Sequence, residues 1–268
     1  MQDLEKLTAE VAKLTRAVGQ FIKTEAQAFD RGRVELKGKS DLVSYVDKGA
    51  EEQLVSGLRE LLPEAGFLTE ENTVEQTKAT YRWVIDPLDG TTNFVHGVPM
   101  FAVSVGLQQG EEVVVGVIYE VNRDEAFYAW QGGGAYLNGK PIRVSAASKI
   151  SEGLFATGFP VYNFSKLKEY LEILNHLMED SHGLRRLGSA ATDMAYVACG
   201  RCEAFFEYNL HPWDVAAGAI LVKEAGGTVT DFSGSGAFLE ARELVAGGPV
   251  HTELLKVIQK YWTGLREE

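Results

Sequence analysis

Apolar residues recur at every third or fourth position near the start of the chain. They run from Leu4 through Val11 to Ile22, and this spacing lines up along one face of an α-helix. A second amphipathic helix is predicted over residues 48–62. Each of these helices would bury one apolar stripe against the rest of the molecule.

The pattern changes in the middle of the chain, where residues 101–144 alternate between apolar and polar positions and are rich in β-branched side chains. Such runs are typical of strands. Asn138 and Gly139 form a dipeptide that favours a type I′ hairpin turn, so a meandering antiparallel sheet is predicted here. The remaining chain alternates between strand-like and helix-like segments, at residues 153–158, 165–180, 189–198, 203–207 and from Asp214 onward.

The composition predicts a globular protein with a sizeable core, because 45% of its 268 residues are hydrophobic. An excess of acidic side chains gives a formal net charge of -12 and a pI near 5.0. This balance argues against a broad surface for nucleic acid or anionic membrane. The first residues lack the basic and apolar regions of a signal peptide, and no apolar run approaches the length of a membrane span. We therefore expect a cytoplasmic protein.

Two acidic residues follow an apolar strand in the segment Y-R-W-V-I-D-P-L-D-G. Asp86 is expected to end the extended stretch, since Pro87 disfavours the α region for the residue before it. Leu88, Asp89 and Gly90 are then expected to turn the chain, so that both carboxylates face one point. Taken alone, this spacing also fits an ordinary Asp-Gly turn at the end of a buried strand.

The backbone beyond this turn offers a site for an anion. The amides of Gly90, Thr91 and Thr92 are predicted to enter a short helix, whose first N–H groups have no partner within the helix. These groups and the helix dipole attract a phosphate. Hard cations and a phosphate group would meet at this point.

Three further acidic residues stand at the ends of predicted elements. Glu70 and Glu71 end a short apolar run that is expected to lie beside the strand before Asp86, and Asp214 begins an apolar helix. Taken singly, paired glutamates are usually a solvated face, and an aspartate before a helix is usually an N-cap. Taken together with Asp86 and Asp89, they predict a cluster.

A cluster of four carboxylates would need a counter-charge. Two carboxylates about 4 Å apart repel by about 4 kcal/mol at an effective dielectric constant of about 20, so four in one cleft cannot all stay ionised without cations. Oxygen ligands without cysteine suit a hard cation. An ion that holds water and phosphate together is usually Mg²⁺, and zinc is disfavoured.

Four motifs occur in order over residues 70–227: E-E, D-P-L-D-G-T-T-N-F, W-D-x-A-A-G and E-A-G-G. Together they resemble the inositol monophosphatase family, a group of magnesium-dependent, lithium-sensitive phosphomonoesterases. The resemblance implies an α+β or α/β fold, a layered α-β-α-β-α sandwich of the sugar-phosphatase type that is usually dimeric. It also implies a single domain over residues 1–268, with an N-terminal half to about residue 145, a C-terminal half from about residue 146, and the site between them.

The resemblance implies a ligand set for two metal ions. Glu70, Asp86 and the carbonyl oxygen of Leu88 would hold one Mg²⁺. Asp86 would bridge to a second Mg²⁺, held together with Asp89 and Asp214. A third and weaker ion, held by Glu70 and water, is a further expectation. Such ions activate a water molecule and stabilise the leaving alkoxide.

In the same family, a glutamate and a threonine position the attacking water and help to deprotonate it. The matching residues here are Glu70 and Thr91. The segment D-L-V-S-Y-V-D ends in Asp47, which would orient Thr91. The segment K-G-K-S resembles a mobile loop that carries an active-site lysine, for which Lys37 is the better match and Lys39 the alternative.

Two more segments, R-R-L-G-S-A-A and F-F-E-Y, resemble the family's substrate-binding elements. The residues expected against the alcohol part of the substrate are Gly188, Ser189, Ala190 and Glu207. The other implied substrate contacts are Gly90, Thr91, Thr92 and Asp214. An alternative for Glu207 is an ion pair with Arg185 or Arg186 outside the pocket.

Several residues near these motifs are not given a chemical role. Thr69 departs from the family pattern, in which glycine more often precedes E-E. Cys199 and Cys202 have the spacing of redox motifs, yet here the pair closes a helix and precedes a strand. We interpret them as a small buried residue and a packed strand residue. His96 and His211 flank the proposed site and are interpreted as hydrogen-bonded structural residues.

Three functions fit these motifs. The first is hydrolysis of a sugar-alcohol phosphate, inositol 1-phosphate to inositol and phosphate, which D-G-T-T-N-F and Glu207 favour by resemblance. The second keeps the chemistry and changes the substrate to fructose 1,6-bisphosphate, histidinol phosphate or a 3′-phosphonucleotide. The third is a binding role in transcription or ribosome assembly, for which the acidic net charge gives no support.

Overall fold

The fold was analysed on a computed structural model, which describes residues 3–29, 35–38, 41–159 and 163–262. Helices in the described ranges include a long one at the start and another near the end. They are α1 (Leu4–Gln27), α2 (Tyr45–Leu61), α3 (Thr91–His96), α4 (Leu167–Asp180), α5 (Ala190–Ala198), α6 (Pro212–Glu224), α7 (Phe238–Ala241) and α8 (His251–Tyr261). None of the described helices has the length and apolar character needed to cross a membrane.

The strands of the described residues form three sheets. A two-stranded hairpin comprises β1 (Glu35–Gly38) and β2 (Asp41–Val43). A seven-stranded sheet runs in chain order through β3 (Gly66–Thr69), β4 (Tyr81–Asp89), β5 (Ala102–Gln109), β6 (Glu112–Glu120), β7 (Glu125–Trp130), β8 (Gly134–Leu137) and β9 (Lys140–Ile142). A five-stranded sheet has the order β11-β10-β12-β14-β13, formed by β10 (Leu154–Thr157), β11 (Gly183–Arg185), β12 (Ala204–Tyr208), β13 (Thr228–Thr230) and β14 (Glu243–Gly247).

The elements stack in five layers. Helices α1 and α2 cover one face of the seven-stranded sheet, α5 and α6 lie between the two large sheets, and α4 and α8 cover the outer face of the five-stranded sheet. Among the described residues, one hydrophobic core lies between α1, α2 and the seven-stranded sheet, a second packs α5 and α6 against both large sheets, and a third lies under α4 and α8. The layered α-β-α-β-α sandwich expected from the sequence is therefore confirmed, as is the antiparallel meander through β9.

Local sequence explains where the early elements begin and turn. Helix α2 starts three residues before the predicted segment, because Ser44 caps it and the Asp47 carboxylate accepts a hydrogen bond from the Ser44 amide at 2.9 Å. The hairpin at Asn138 and Gly139 is confirmed. Both residues have positive φ, 47° and 81°, as a type I′ turn requires.

Strand β4 corrects one sequence prediction. Asp86 does not end the extended stretch, because the strand continues through Pro87 to Asp89. The pairing with β5 shifts between Asp86 and Asp89, and a proline fits such a bulge because it has no N–H to offer the ladder. The turn follows at Gly90, whose φ of 97° is easily reached only by glycine.

Two glycines let α6 lie directly on the seven-stranded sheet. A Cβ atom at Gly116 would stand 2.5 Å from the carbonyl oxygen of Ala217, and one at Gly106 would stand 3.2 Å from the Cβ of Ala216. Larger side chains at these positions would push the helix away. The close approach fixes the first turn of α6, and with it Asp214, relative to the sheet that carries Asp86.

Candidate active site

A cleft of about 370 Å³ collects most of the residues singled out in the sequence. It lies where β3, β4 and β12 end and where α3, α5 and α6 begin. The predicted residues that line it are Glu70, Asp89, Gly90, Thr91, Thr92, Gly188, Ser189, Ala190, Glu207 and Asp214. A larger cavity of about 710 Å³, between β6, α6 and α7, includes none of them. Chemistry, and not size, therefore identifies the candidate site.

Four carboxylates converge at one end of this cleft, as predicted. Asp86 is only 2% exposed. Its burial, followed by the negative charges of Glu70, Asp89 and Asp214, raises its pKa well above the usual value. The Glu70 side chain also lies in hydrogen-bonding contact with Asp86. Two carboxylates in such contact need a proton or a cation between them.

Three of these carboxylates are held in place through one oxygen each. Asp86 accepts a hydrogen bond from the Leu88 amide at 3.0 Å. Asp89 accepts two, from the Ser189 hydroxyl at 2.7 Å and from an α5 amide at 2.6 Å. Asp214, in the first turn of α6, accepts one from the His211 amide at 2.7 Å. The backbone therefore orients each side chain.

Loss of hydration also affects the two carboxylates that flank Asp86. Burial raises the pKa of Asp89 to about 6, although bonds from Ser189 and from the start of α5 act in the opposite direction. Burial, then the charge of Asp89, raises the pKa of Asp214 well above its usual value. Cations in the cleft would remove this electrostatic cost.

The donor set fits a hard cation by type and charge. Carboxylate oxygens and the carbonyl oxygen of Leu88 are the ligands that Mg²⁺ prefers. Within the described part of the chain, no three acidic, histidine or cysteine side chains already stand at finished metal-ligand geometry.

Thr91 and Asp47 meet as the resemblance implied. The Thr91 hydroxyl lies 2.9 Å from the Asp47 carboxylate and 3.0 Å from the Leu88 carbonyl oxygen. Asp47 also accepts hydrogen bonds from the amide and hydroxyl of Ser44. Burial raises the pKa of Asp47. The cap of α2 thus fixes the carboxylate that holds Thr91.

The opposite end of the cleft is formed by Glu207, at the end of β12. Its side chain packs so tightly against Gly158 that a Cβ there would fall 1.9 Å from the carboxylate. Burial raises the pKa of Glu207 to about 8, although the nearby Arg186 acts to lower it. Arg186 lines the same cleft, whereas the exposed Arg185 donates to the Leu184 carbonyl. In the described residues neither arginine is an ion-pair partner of Glu207.

Asp193 was not predicted from the sequence as a site residue. It lies on the wall of the cleft. It is 1% exposed, and its Oδ1 atom has no hydrogen-bond partner among the described residues. Burial, then the charges of Glu207 and Asp89, raises its pKa well above the usual value. Its spacing in the sequence could have identified it as a site residue, because Asp193 lies one helical turn after Ser189, the N-cap of α5.

Two sets of predicted residues remain, the loop lysines and a histidine. Lys37 belongs to β1, but its side chain is outside the described part of the structure, and Lys39 lies outside the described residues altogether. The His211 ring stacks on Trp213 with centroids 4.6 Å apart and lies 3.2 Å from a guanidinium nitrogen of Arg242. This packing matches the structural role expected for His211.

The two cysteines are free thiols. Burial raises the pKa of both, and that of Cys202 reaches about 12, so neither is an activated thiolate. One detail of the sequence interpretation is corrected. Cys202 stands in the bend before β12 and is not a strand residue, because the turn after α5 extends to Glu203 before pairing begins.

Comparison with known proteins gives one consistent result. A model described as the inositol monophosphatase family matches residues 3–263. The inositol-1-monophosphatase of Rhizobium meliloti (strain 1021) is 44% identical over 230 residues, 85% of this chain and 86% of the relative. The putative Nus factor SuhB of Neisseria meningitidis serogroup B is 41% identical over 251 residues, 93% of this chain and 96% of the relative. A crystal structure of the extragenic suppressor protein suhB from Bartonella henselae matches with a TM-score of 0.89 and 36% identity, covering 97% of this chain and 99% of that one.

Proposed function

Because this chain belongs to the inositol monophosphatase family and is a phosphomonoesterase, we propose that it hydrolyses inositol 1-phosphate to inositol and phosphate with Mg²⁺. The observation that carries this proposal is the single cleft in which an acidic cluster, the Thr91–Asp47 pair and Glu207 meet. The acidic cluster suits metal and phosphate. Glu207 suits the hydroxyl groups of a polyol.

We propose a ligand set for two Mg²⁺ ions per site, and a third held by Glu70 and water. Glu70, Asp86 and the Leu88 carbonyl would hold one ion. Asp86 would share a second with Asp89 and Asp214. When bound, Mg²⁺ supplies positive charge against the phosphate and lowers the pKa of water.

The chain's own residues carry the remaining steps. Thr91, held by Asp47, orients the attacking water, and the Glu70 carboxylate accepts its proton. The amides of Gly90, Thr91 and Thr92 face the phosphate oxygens, because the first N–H groups of a helix have no partner within it. By the family resemblance, Lys37 would supply a further cation to the site.

At the other end, Glu207 accepts hydrogen bonds from hydroxyls of the alcohol. Gly188, Ser189 and Ala190 form the adjoining wall. A carboxyl group at this position disfavours a second phosphate on the substrate. This is the reason for preferring a monophosphate over fructose 1,6-bisphosphate.

An assay over a substrate panel tests this assignment. Purified protein with Mg²⁺ would be given inositol 1-phosphate, fructose 1,6-bisphosphate, histidinol phosphate and a 3′-phosphonucleotide, with and without lithium. We expect the highest kcat/KM on inositol 1-phosphate, and inhibition by lithium. A higher kcat/KM on any other member would replace the substrate while leaving the family unchanged.

We propose that the protein is a homodimer. Leu171 and Met178 on α4 are 52% and 59% exposed, and Phe164 beside them is 58% exposed. They border a predominantly apolar cavity of about 510 Å³, and such exposed patches usually mark an interface. The variant Leu171→Asp should lower the mass measured by sedimentation to that of a monomer. The exposed Glu172→Gln serves as the control, and an unchanged mass for Leu171→Asp would exclude this face.

Chain organisation and location are part of the same proposal. Residues 1–268 would form one domain, because α5 and α6 pack against both large sheets and leave no independent halves. The two free thiols suit the reducing cytoplasm. A single cooperative unfolding transition, followed by both fluorescence and circular dichroism, would support one domain, and two separated transitions would contradict it.

Relatives named Nus factor SuhB favour a second candidate, a binding role in transcription. Both roles can coexist, and a variant without turnover separates them. If Asp214→Asn lacks activity but still restores normal growth to cells without the protein, binding is the essential role. If only the active protein restores growth, hydrolysis is the essential role.

A further inference from the structure

Glu51 is a buried glutamate outside the proposed chemistry. It lies on α2, is fully buried, and accepts four hydrogen bonds. The donors are the Thr69 hydroxyl at 2.9 Å, the Glu71 amide at 2.8 Å, and the Thr73 amide and hydroxyl at 2.8 and 2.7 Å. All four belong to the segment on either side of Glu70.

The position of Glu51 on its helix connects two parts of the site. It follows Asp47 by four residues, so the two carboxylates project from the same face of α2. Asp47 holds the Thr91 hydroxyl at 2.9 Å, while Glu51 holds the backbone around Glu70. One rigid helix thus controls both groups that act on the attacking water.

We propose that Glu51 is a positioning residue that sets the place of the Glu70 carboxylate relative to the Thr91 hydroxyl. This inference rests on the proposed phosphatase function, since it concerns the alignment of those two groups. Four hydrogen bonds to one buried side chain hold this segment against α2. A small misalignment at a reacting centre lowers the rate strongly.

Thr69 adds further hydrogen bonds at a position where the family pattern more often has glycine. Its hydroxyl donates to Glu51 and accepts from the Gln76 side-chain amide at 3.0 Å. Its backbone amide donates to the Gln76 side-chain oxygen at 2.9 Å. A glycine could not make the two hydroxyl bonds. In this chain, Glu51 therefore holds a side chain before Glu70 as well as backbone amides after it.

Two variants test the inference through the separation of kcat from KM. Glu51→Gln keeps the shape of the side chain but replaces one acceptor oxygen with an NH₂ group, which then faces the hydrogen-bond donors of the segment. We expect kcat to fall roughly 10-fold or more, with KM changed less than about 2-fold. Thr69→Val removes only the hydroxyl and should lower kcat roughly 3-fold, whereas Thr69→Ser should restore it. The exposed neighbour Glu52→Gln is the matched control and should leave both constants unchanged.

Hydrogen exchange supplies a readout that does not need substrate. The amides of Glu71 and Thr73 should lose protection in both variants and not in Glu52→Gln. If the wild-type protein hydrolyses no phosphate monoester, the proposed function fails, and the exchange data still decide whether Glu51 holds the segment. Wild-type kcat in a folded Thr69→Val, or unchanged protection of both amides, would overturn the inference. If Glu51→Gln does not fold, Thr69→Val alone decides the question.

Discussion

The two ends of the cleft differ in how their carboxylates are held. At the phosphate end, Asp47, Asp86 and Asp89 all accept hydrogen bonds from the protein. At the alcohol end, the described residues leave the Oδ1 atom of Asp193 and the carboxylate of Glu207 without a hydrogen bond. The first end is fixed before any ligand arrives. The second end keeps buried acceptors whose partners must come from a ligand or a proton.

The largest expected effect comes from removing one acidic ligand at the fixed end. Asp89→Asn or Asp214→Asn should lower kcat roughly 10³-fold or more, because the cations then lose a charged ligand. Both variants should keep the fold, and without Mg²⁺ their melting temperatures should rise, since like-charge repulsion is relieved. Activity and thermal unfolding measure the two effects. Asp180→Asn, exposed on α4, is the control, and wild-type activity in Asp89→Asn would reject the ligand assignment.

The second-largest effect is expected from a variant at the same end that separates activation of the water molecule from metal binding. Thr91→Ala removes a hydroxyl and no charge, so kcat should fall roughly 10²-fold while tight Mg²⁺ binding changes little. Thr91→Ser should recover most of the loss because the bond to Asp47 can form again. Titration calorimetry with Mg²⁺ provides the second measurement. If Mg²⁺ affinity falls together with kcat, Thr91 supports the metal site and not the water.

The same contrast explains what could be predicted from the sequence. The phosphate end is built largely from neighbours along the chain, so the D-P-L-D-G-T-T segment indicated Asp86, Asp89 and Thr91 directly. The bulge at Pro87 was missed, because it depends on pairing with β5. Asp193 was missed because its role depends on the distant Glu207, which β12 brings beside α5. Contacts between residues that are far apart in the chain cannot be inferred from a local sequence pattern.

A smaller effect is expected at the alcohol end, on substrate choice. Glu207→Gln weakens an acceptor for polyol hydroxyls, so at a pH above 8, where Glu207 is ionised, KM for inositol 1-phosphate should rise roughly 10-fold, as one charged hydrogen bond is worth on the order of 1.5–3 kcal/mol. The relative kcat/KM for fructose 1,6-bisphosphate should increase, because the charge that disfavours a second phosphate is gone. Retained activity with unchanged substrate ratios would show that Glu207 does not contact the alcohol.

The smallest effect concerns the stability cost of the unpaired acceptor at Asp193. Its pKa is raised from 3.8 by burial, then by Glu207 and Asp89, so the folded state binds more protons than the unfolded state above about pH 4. The contribution of Asp193 to the free energy of unfolding is therefore fully present below pH 3.8 and is lost as the pH rises through the pKa of the folded state. Asp193→Asn should raise the free energy of unfolding at pH 8 and change it almost not at all at pH 4. Asp231 provides a comparison of opposite sign. Its pKa is lowered, because hydrogen bonds from Ser235 and Ser233 outweigh its burial. Asp231→Asn should therefore decrease the free energy of unfolding at pH 8. Denaturant unfolding at both pH values measures these differences, and an equal gain for Asp193→Asn at pH 4 and pH 8 would show that its charge carries no cost.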